Sequence, residues 1–96
     1  MDSKFYVSLE AEELLKEKGY PIDGRITKAE AVDWLESKRI VIETYFTNNA
    51  KWVSTIAKNR FTIYNSWHND DLTFSTRLEA EEAAIIKACK LLKNGN

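Results

Sequence analysis

The chain has 96 residues, a length that fits one small domain with a modest core. Its apolar fraction of 44% and charged fraction of 30% are typical of a folded protein, not a disordered one. The net charge of -1 argues against a protein whose main task is to coat DNA or RNA, because such proteins carry a basic excess. The single cysteine excludes an internal disulfide and a zinc site built from cysteines. Without an apolar run long enough for a signal peptide or a membrane span, we expect a cytoplasmic protein and no membrane partner.

Two helices are predicted before the first strand. Ser8 is placed to cap the first helix, and Gly19 followed by Pro21 ends it. Thr27 and Glu30 form a capping box for the second helix, which should run to about residue 37. We expect a single α+β domain over residues 1–96, in which residues 1–26 are an N-terminal helical extension.

Three strands follow, because the spacing of the apolar residues changes to every second position. Strands are predicted over residues 39–47, 51–58 and 61–67, and the short turns between them indicate an antiparallel meander. Residues 68–71 read as a polar loop, and Thr76 with Glu79 forms a second capping box at the start of the last helix. The predicted fold class is α+β in the order helix-helix-strand-strand-strand-helix, with the helices packed on one face of the sheet.

The same periodicities predict which side chains are buried. The expected core comprises Ile40, Ile42, Phe46, Trp52, Ile56, Phe61, Ile63, Ile85, Cys89 and Leu92, with Trp34 and Leu35 packed against it. Cys89 is expected to be an inert buried thiol. The opposite, open face of the sheet should carry Val41, Glu43, Tyr45, Val53, Thr55, Ala57, Thr62 and Tyr64.

This open face suggests the function. Glu43 is its only predicted charge, whereas a sheet face left to water usually carries more. We therefore predict a non-enzymatic protein interaction module of unknown role. Its partner-binding residues are Val41, Tyr45, Val53, Thr55 and Tyr64, and its simplest partner is a second copy in a homodimer. The alternative is that the N-terminal residues Phe5, Tyr6 and Val7 fold back over this face.

Nucleic acid is the second class of partner that we consider. Aromatic side chains on an open sheet beside basic residues can stack bases. The candidate nucleic-acid-binding residues are Lys51, Lys58, Arg60, Lys87 and Lys90. Core burial is the stronger explanation of Trp52 and Phe61, which are natural core-facing partners of Ile40 and Ile42, and the last-helix lysines also complement the helix dipole. Protein interaction is therefore the preferred prediction.

No catalytic, metal or cofactor site is predicted. His68 is the only histidine, and it shares one loop with Asp70 and Asp71, which does not provide ligands converging from fixed elements. No second histidine is present to activate a nucleophile, and the glycines are too dispersed to form a phosphate-binding loop. We expect neither enzymatic activity nor a bound cofactor.

Residues 27–92 resemble the double-stranded RNA-binding domain. The strand Arg39-Ile-Val-Ile-Glu-Thr and the helix Glu79-Ala-Glu-Glu-Ala-Ala-Ile-Ile-Lys-Ala-Cys-Lys-Leu-Leu are similar to its first strand and its last helix. The resemblance implies that fold. The family holds RNA phosphates with a lysine cluster at the start of the last helix, a place occupied in this sequence by Arg77, Glu79, Glu81 and Glu82. Because three carboxylates would repel the phosphates, we expect no binding to duplex RNA.

The whole chain is also similar to small proteins carried by Bacteroides-type bacteria and by their phages and mobile elements. The similarity lies in the segments Leu14–Tyr20 and Trp34–Glu36, in Trp52 with Ile56, and in the acidic last helix. No activity is assigned to that group, so this resemblance implies no site residues.

Overall fold

A computed structural model describes residues 5–21 and 24–92 of the chain. In chain order the elements are α1 (Leu9–Glu17), α2 (Lys28–Ser37), β1 (Ile40–Phe46), β2 (Trp52–Lys58), β3 (Phe61–Asn65), α3 (Ser66–Asp70) and α4 (Arg77–Leu91). The strands form one antiparallel sheet in the order β1-β2-β3. This arrangement confirms the predicted α+β class and the order of its elements. The short helix α3 occupies residues that were predicted as the end of a strand and a loop.

Helix starts follow the predicted capping residues. The Ser8 hydroxyl accepts the Ala11 N–H at the start of α1, and Thr27 and Glu30 form the complete capping box of α2. At α4, the Thr76 hydroxyl accepts the Glu79 N–H at 3.1 Å. The Glu79 carboxylate, however, accepts from the Thr76 hydroxyl and not from its backbone N–H, so the second capping box is only half formed.

Helix α4 lies at the centre of the packing, in contact with β1, β2, α1 and α2. One of its faces is fully buried through Ala80, Ala84, Ile85, Ala88 and Cys89. Ala84, Ile85, Ala88 and Cys89 belong to the same core cluster as side chains of the sheet, α1 and α2, so they join the two layers of the fold into one core.

The N-terminal segment belongs to the helical side of the sheet. Val7 is fully buried in the same core as Ala11 and Leu15 of α1. Tyr6 pairs with Thr27 in an antiparallel bridge, and the Val7 N–H donates to the Ile26 carbonyl at 2.9 Å. The alternative in which Phe5, Tyr6 and Val7 cover the open sheet face is therefore wrong.

The predicted core is confirmed at its centre and wrong at its ends. Ile40, Ile42, Ile56, Ile85, Cys89, Leu92 and Leu35 are buried, and the half-buried Trp34 packs against them. Phe46 and Phe61 are 58% and 75% exposed, because each lies in a terminal row of the sheet. Trp52 is half-buried and packs its ring against Phe46, with the ring centroids 5.2 Å apart.

A β-bulge in the β2–β3 pair explains a further error. Thr62 pairs with Ala57 and Tyr64 pairs with Ile56, so Ile63 is an extra residue between the two pairs. Because of this extra residue, the later side chains of β3 point to the opposite faces from those that simple alternation predicts. Tyr64, predicted on the open face, is buried in the core, and Ile63, predicted in the core, is 44% exposed.

The sheet face that points away from α1, α2 and α4 is called the outer face. Its residues, read from the strand register, are Val41, Glu43, Tyr45, Val53, Thr55, Ala57, Thr62 and Asn65.

The two faces of β1 should respond differently to the loss of side-chain volume. We expect Ile42→Ala to lower the free energy of unfolding by about 2–5 kcal/mol, because the change leaves a cavity in the core. Val41→Ala, on the adjacent residue but on the outer face, should cost under about 1 kcal/mol. Urea unfolding of both variants measures the difference, and equal losses would contradict the assignment of the faces.

Candidate functional site

The outer face is open and carries few charges. Val41 and Tyr45 are 38% and 40% exposed, and Glu43 is the only charged residue among those of this face. Thr55 and Ala57 on the central strand are half-buried. The accessible surface of this face is therefore mostly uncharged, and it exposes Val41 and Tyr45 on the side of the sheet away from α1, α2 and α4.

One corner of this face is closed by Tyr45. Its hydroxyl accepts a hydrogen bond from the Asn65 side-chain amide at 3.1 Å, although Tyr45 lies on β1 and Asn65 on β3. The tyrosine side chain must therefore cross β2, next to its register partner Val53. Val53 is fully buried, so it cannot contact a partner.

The predicted partner-binding residues are thus only partly brought together. Val41 and Tyr45 share the exposed outer face with the half-buried Thr55. Val53 lies beneath that surface. Tyr64 lies on the opposite side of the sheet, in the core, so its predicted location on the open face is wrong. Sequence periodicity did not reveal Ile63 or Trp67, which are 44% and 42% exposed. The bulge and the start of α3 bring these two side chains to the surface.

A group of four cations lies where β1 begins and where β2 turns into β3. This group, Lys38, Arg39, Lys58 and Arg60, is called the basic end. The Asn59 N–H donates to the Arg39 carbonyl at 3.2 Å, and Lys58 pairs with both Ile40 and Phe61, which keeps the four residues close together. Among residues 5–21 and 24–92, no carboxylate forms an ion pair with any of the four.

Both arginines of the basic end have left-handed backbone conformations. Arg39, which follows the C-cap residue Lys38 of α2, has a φ of 66°, and Arg60 has a φ of 75° in the two-residue β2–β3 turn. Glycine is the usual residue at such positions, because a side chain there costs about 1–2 kcal/mol. The fold therefore keeps two cations at positions where glycine would be more stable.

The other cations predicted to bind nucleic acid are placed differently. Lys51 lies in the β1–β2 turn, at the opposite end of the sheet from Lys58. Lys87 lies 3.9 Å from the Asp70 carboxylate and 5.0 Å from the centre of the Tyr64 ring. Lys90 lies 4.0 Å from the Glu10 carboxylate. The lysines of α4 therefore face acidic partners, whereas Lys58 and Arg60 do not.

Charge is divided unevenly along the chain. Residues 38–69, which include the whole sheet, contain five basic residues and one acidic residue. The remaining residues contain nine basic and fourteen acidic residues. The net charge of -1 hides a positive sheet segment and negative helices.

Tyr64 forms a partly buried polar contact on the inner side of β3. Its hydroxyl donates to the Asp70 carboxylate at 2.6 Å, which ties β3 to the end of α3. Burial, followed by this hydrogen bond and the nearby negative charge, raises the pKa of Tyr64 to about 12. Burial likewise raises the pKa of Cys89 to about 11, so its thiol stays protonated at neutral pH.

The described part of the chain has neither a metal-ligand cluster nor a membrane-spanning helix. No group of three or more His, Cys, Asp or Glu side chains there could hold a metal ion. His68 is exposed in α3 and stacks on the Trp67 ring, with the ring centroids 5.4 Å apart. None of the described helices is long and apolar enough to cross a membrane. Comparisons with family models, curated proteins and solved structures gave no match for this chain.

The Tyr64–Asp70 contact should make the protein less stable at high pH. The folded-state pKa of about 12 lies above the ordinary value of 10.0, so this stabilisation is fully present below pH 10. It is lost as the pH rises through about 12. We expect the free energy of unfolding of the wild type to fall more steeply over this range than that of Tyr64→Phe. Parallel pH dependences in urea unfolding experiments would contradict the contact.

Proposed function

We propose that this protein is a non-enzymatic interaction module whose outer sheet face binds a second copy of the same chain. The observation that carries the proposal is the exposed pair Val41 and Tyr45 on a sheet face with one charged residue, Glu43. Tyrosine suits such a contact, because its ring is apolar and its hydroxyl can keep a polar partner. A nearly uncharged face also meets its own copy without strong repulsion, as a two-fold interface requires.

The size of the face indicates a weak, reversible pair. Three strands about 4.8 Å apart, with five to seven residues about 3.3 Å apart, span roughly 300 Å². Stable complexes usually bury about 800 Å² on each partner. We therefore expect a Kd of roughly 10 µM to 1 mM, with Ile63 and Trp67 extending the contact at its margin.

A charge placed on the outer face should prevent pairing. We expect Val41→Lys to weaken self-association at least about tenfold, because a buried lysine without a partner opposes the contact. Leu91→Lys is the matched control, since Leu91 on α4 is 38% exposed, as is Val41. Sedimentation equilibrium of the wild type and both variants measures the effect. A wild type that stays monomeric at millimolar concentration, or equal losses in the two variants, would refute the proposed interface.

The basic end favours a second candidate function, the binding of single-stranded nucleic acid. Its four cations have no carboxylate partner among the described residues, and the Phe61 ring beside them is 75% exposed. Cations can bind phosphates while an exposed aromatic ring stacks a base. The strained backbone of Arg39 and Arg60 adds support, because strain that a glycine would relieve is often kept at functional positions.

Two glycine substitutions test this second function. We expect Arg39→Gly with Arg60→Gly to stabilise the fold by up to about 1 kcal/mol per site, because left-handed strain is relieved. The same change should weaken binding to a fluorescent single-stranded oligonucleotide. For the wild type, four phosphate contacts give a slope of about -3 when the logarithm of the association constant is plotted against the logarithm of the salt concentration. The double variant keeps two contacts and should show about half of that slope.

Lys90→Gln provides the control, because Lys90 lies beside Glu10 and away from the basic end. It should leave the affinity and the salt dependence measured by fluorescence anisotropy unchanged. Binding that is absent at low salt, or that Lys90→Gln weakens as much as the double variant does, would reject the basic end as a nucleic-acid site. Self-association through the outer face should depend little on salt, so the two functions are distinguishable.

A further inference from the structure

A cavity of about 380 Å³ lies between α4 and the point where β3 leaves the sheet. Leu72, Phe74 and Ile86 give it apolar walls, and the two buried serines Ser54 and Ser66 also line it. Its volume is at the small end of the range for sites that hold small molecules. The cavity is on the helical side of the sheet, away from the outer face, so it is independent of the proposed self-association.

The backbone path explains why this cavity exists. Strand β3 ends at Asn65, and pairing with β2 resumes only where Phe74 exchanges hydrogen bonds of 2.7 and 2.8 Å with Trp52. Between these points no strand pairs with Ser54 on the β3 side of β2, although Thr44 of β1 pairs with it on the other side. The Ser54 N–H donates instead to the Ser66 hydroxyl at 3.1 Å. The gap in the sheet is therefore closed by a side chain, and a cavity remains beneath it.

Two hydroxyl groups in this cavity have hydrogen-bonding capacity left over. Ser54 is 1% exposed, and its Oγ has no hydrogen-bond partner among the described residues. Ser66 is also 1% exposed, and its hydroxyl accepts the Ser54 N–H but donates to no acceptor in the same part of the chain. A buried hydroxyl without a partner is costly, so the unpaired Ser54 hydroxyl beside the unused donor of Ser66 indicates an acceptor that the described chain does not itself provide.

We propose that this cavity binds a small neutral molecule that carries a carbonyl group on an apolar ring. The carbonyl oxygen accepts hydrogen bonds from the Ser54 and Ser66 hydroxyls. The ring lies against Leu72, Phe74 and Ile86, which supply the apolar contact that such sites use for affinity.

The charges around the cavity favour a neutral ligand over an anion. Lys87 and Lys90 line it, but each lies about 4 Å from a carboxylate, of Asp70 and Glu10 respectively. These pairs leave the surroundings balanced in charge. A carboxylate placed against the two serines would be buried without a cation of its own, which is unfavourable.

Benzamide is a suitable probe, because it joins a neutral carbonyl to a small ring. We expect saturable shifts of the amide NMR signals of Ser54, Ser66, Leu72 and Phe74, with a Kd of about 1 mM or tighter. Toluene lacks the carbonyl and benzoate carries a charge, so both should bind at least about tenfold more weakly.

Ser54→Ala separates ligand binding from a structural role. It removes the unpaired hydroxyl, so we expect a higher midpoint of thermal unfolding together with about tenfold weaker benzamide binding. Ser37→Ala makes the same chemical change at an exposed residue of α2 and should leave benzamide affinity unchanged.

Several results would overturn the proposal. No saturable shifts at about 20 mM benzamide, which is far above the expected Kd, would exclude the site. Equal binding of toluene would show that the serines play no part, and tighter binding of benzoate would show an anion site. A Ser54→Ala variant that is less stable but binds benzamide normally would show that the Ser54 hydroxyl stabilises the fold and does not bind the ligand.

Discussion

The burial of one face of α4 is the interaction on which the rest of the structure depends. Ala80, Ala84 and Ala88 recur every four residues along the fully buried face, and such small side chains allow the helix to approach its neighbours closely. Ile85 and Cys89 fill the space beside them. The same helix contacts α1, α2 and two strands, so each of these elements buries apolar side chains against α4. The side of the sheet that faces α4 is closed for this reason, and the outer face is the surface left over.

Local chemistry made the helices and the first two strands predictable. Ser8, Thr27 and Thr76 mark helix starts because their hydroxyls accept free N–H groups, whatever the rest of the chain does. The alternation of Ile40 and Ile42 with Val41 likewise fixes the faces of β1, since one face must be buried. These signals need only neighbouring residues, and they identified the fold class.

The errors arose at one strand pairing, at one missed helix cap and at the ends of the sheet. The bulge at Ile63 is a property of the pairing of two strands, and Phe61-Thr-Ile-Tyr alternates equally well in either register. Asn65 appeared to continue a strand, whereas its side chain accepts the Trp67 and His68 N–H groups and starts α3. Phe46 and Phe61 have core-like chemistry but lie at the ends of the sheet. Periodicity gives the direction of a side chain but not the extent of the layer that covers it.

The candidate sites were visible in the sequence to different degrees. The outer-face residues Val41 and Tyr45 followed from alternation alone. The positive charge of residues 38–69 can be counted in the sequence, but the overall net charge concealed it. The left-handed arginines and the cavity at Ser54 could not be predicted, because both follow from the paths of the turn and of the interrupted strand.

The position of α4 after the sheet in chain order has a consequence for biosynthesis. A ribosome releases the N-terminal elements first, so α1, α2 and the sheet emerge before the helix that buries them. Until then, the apolar side chains of Leu15, Ile42 and Ile56 lack their main cover. The contact between α1 and α4 also brings together the first and last helices of the described chain, and this loop can close only after α4 has emerged. A nascent chain that stalls before α4 has emerged therefore exposes its future core to other proteins.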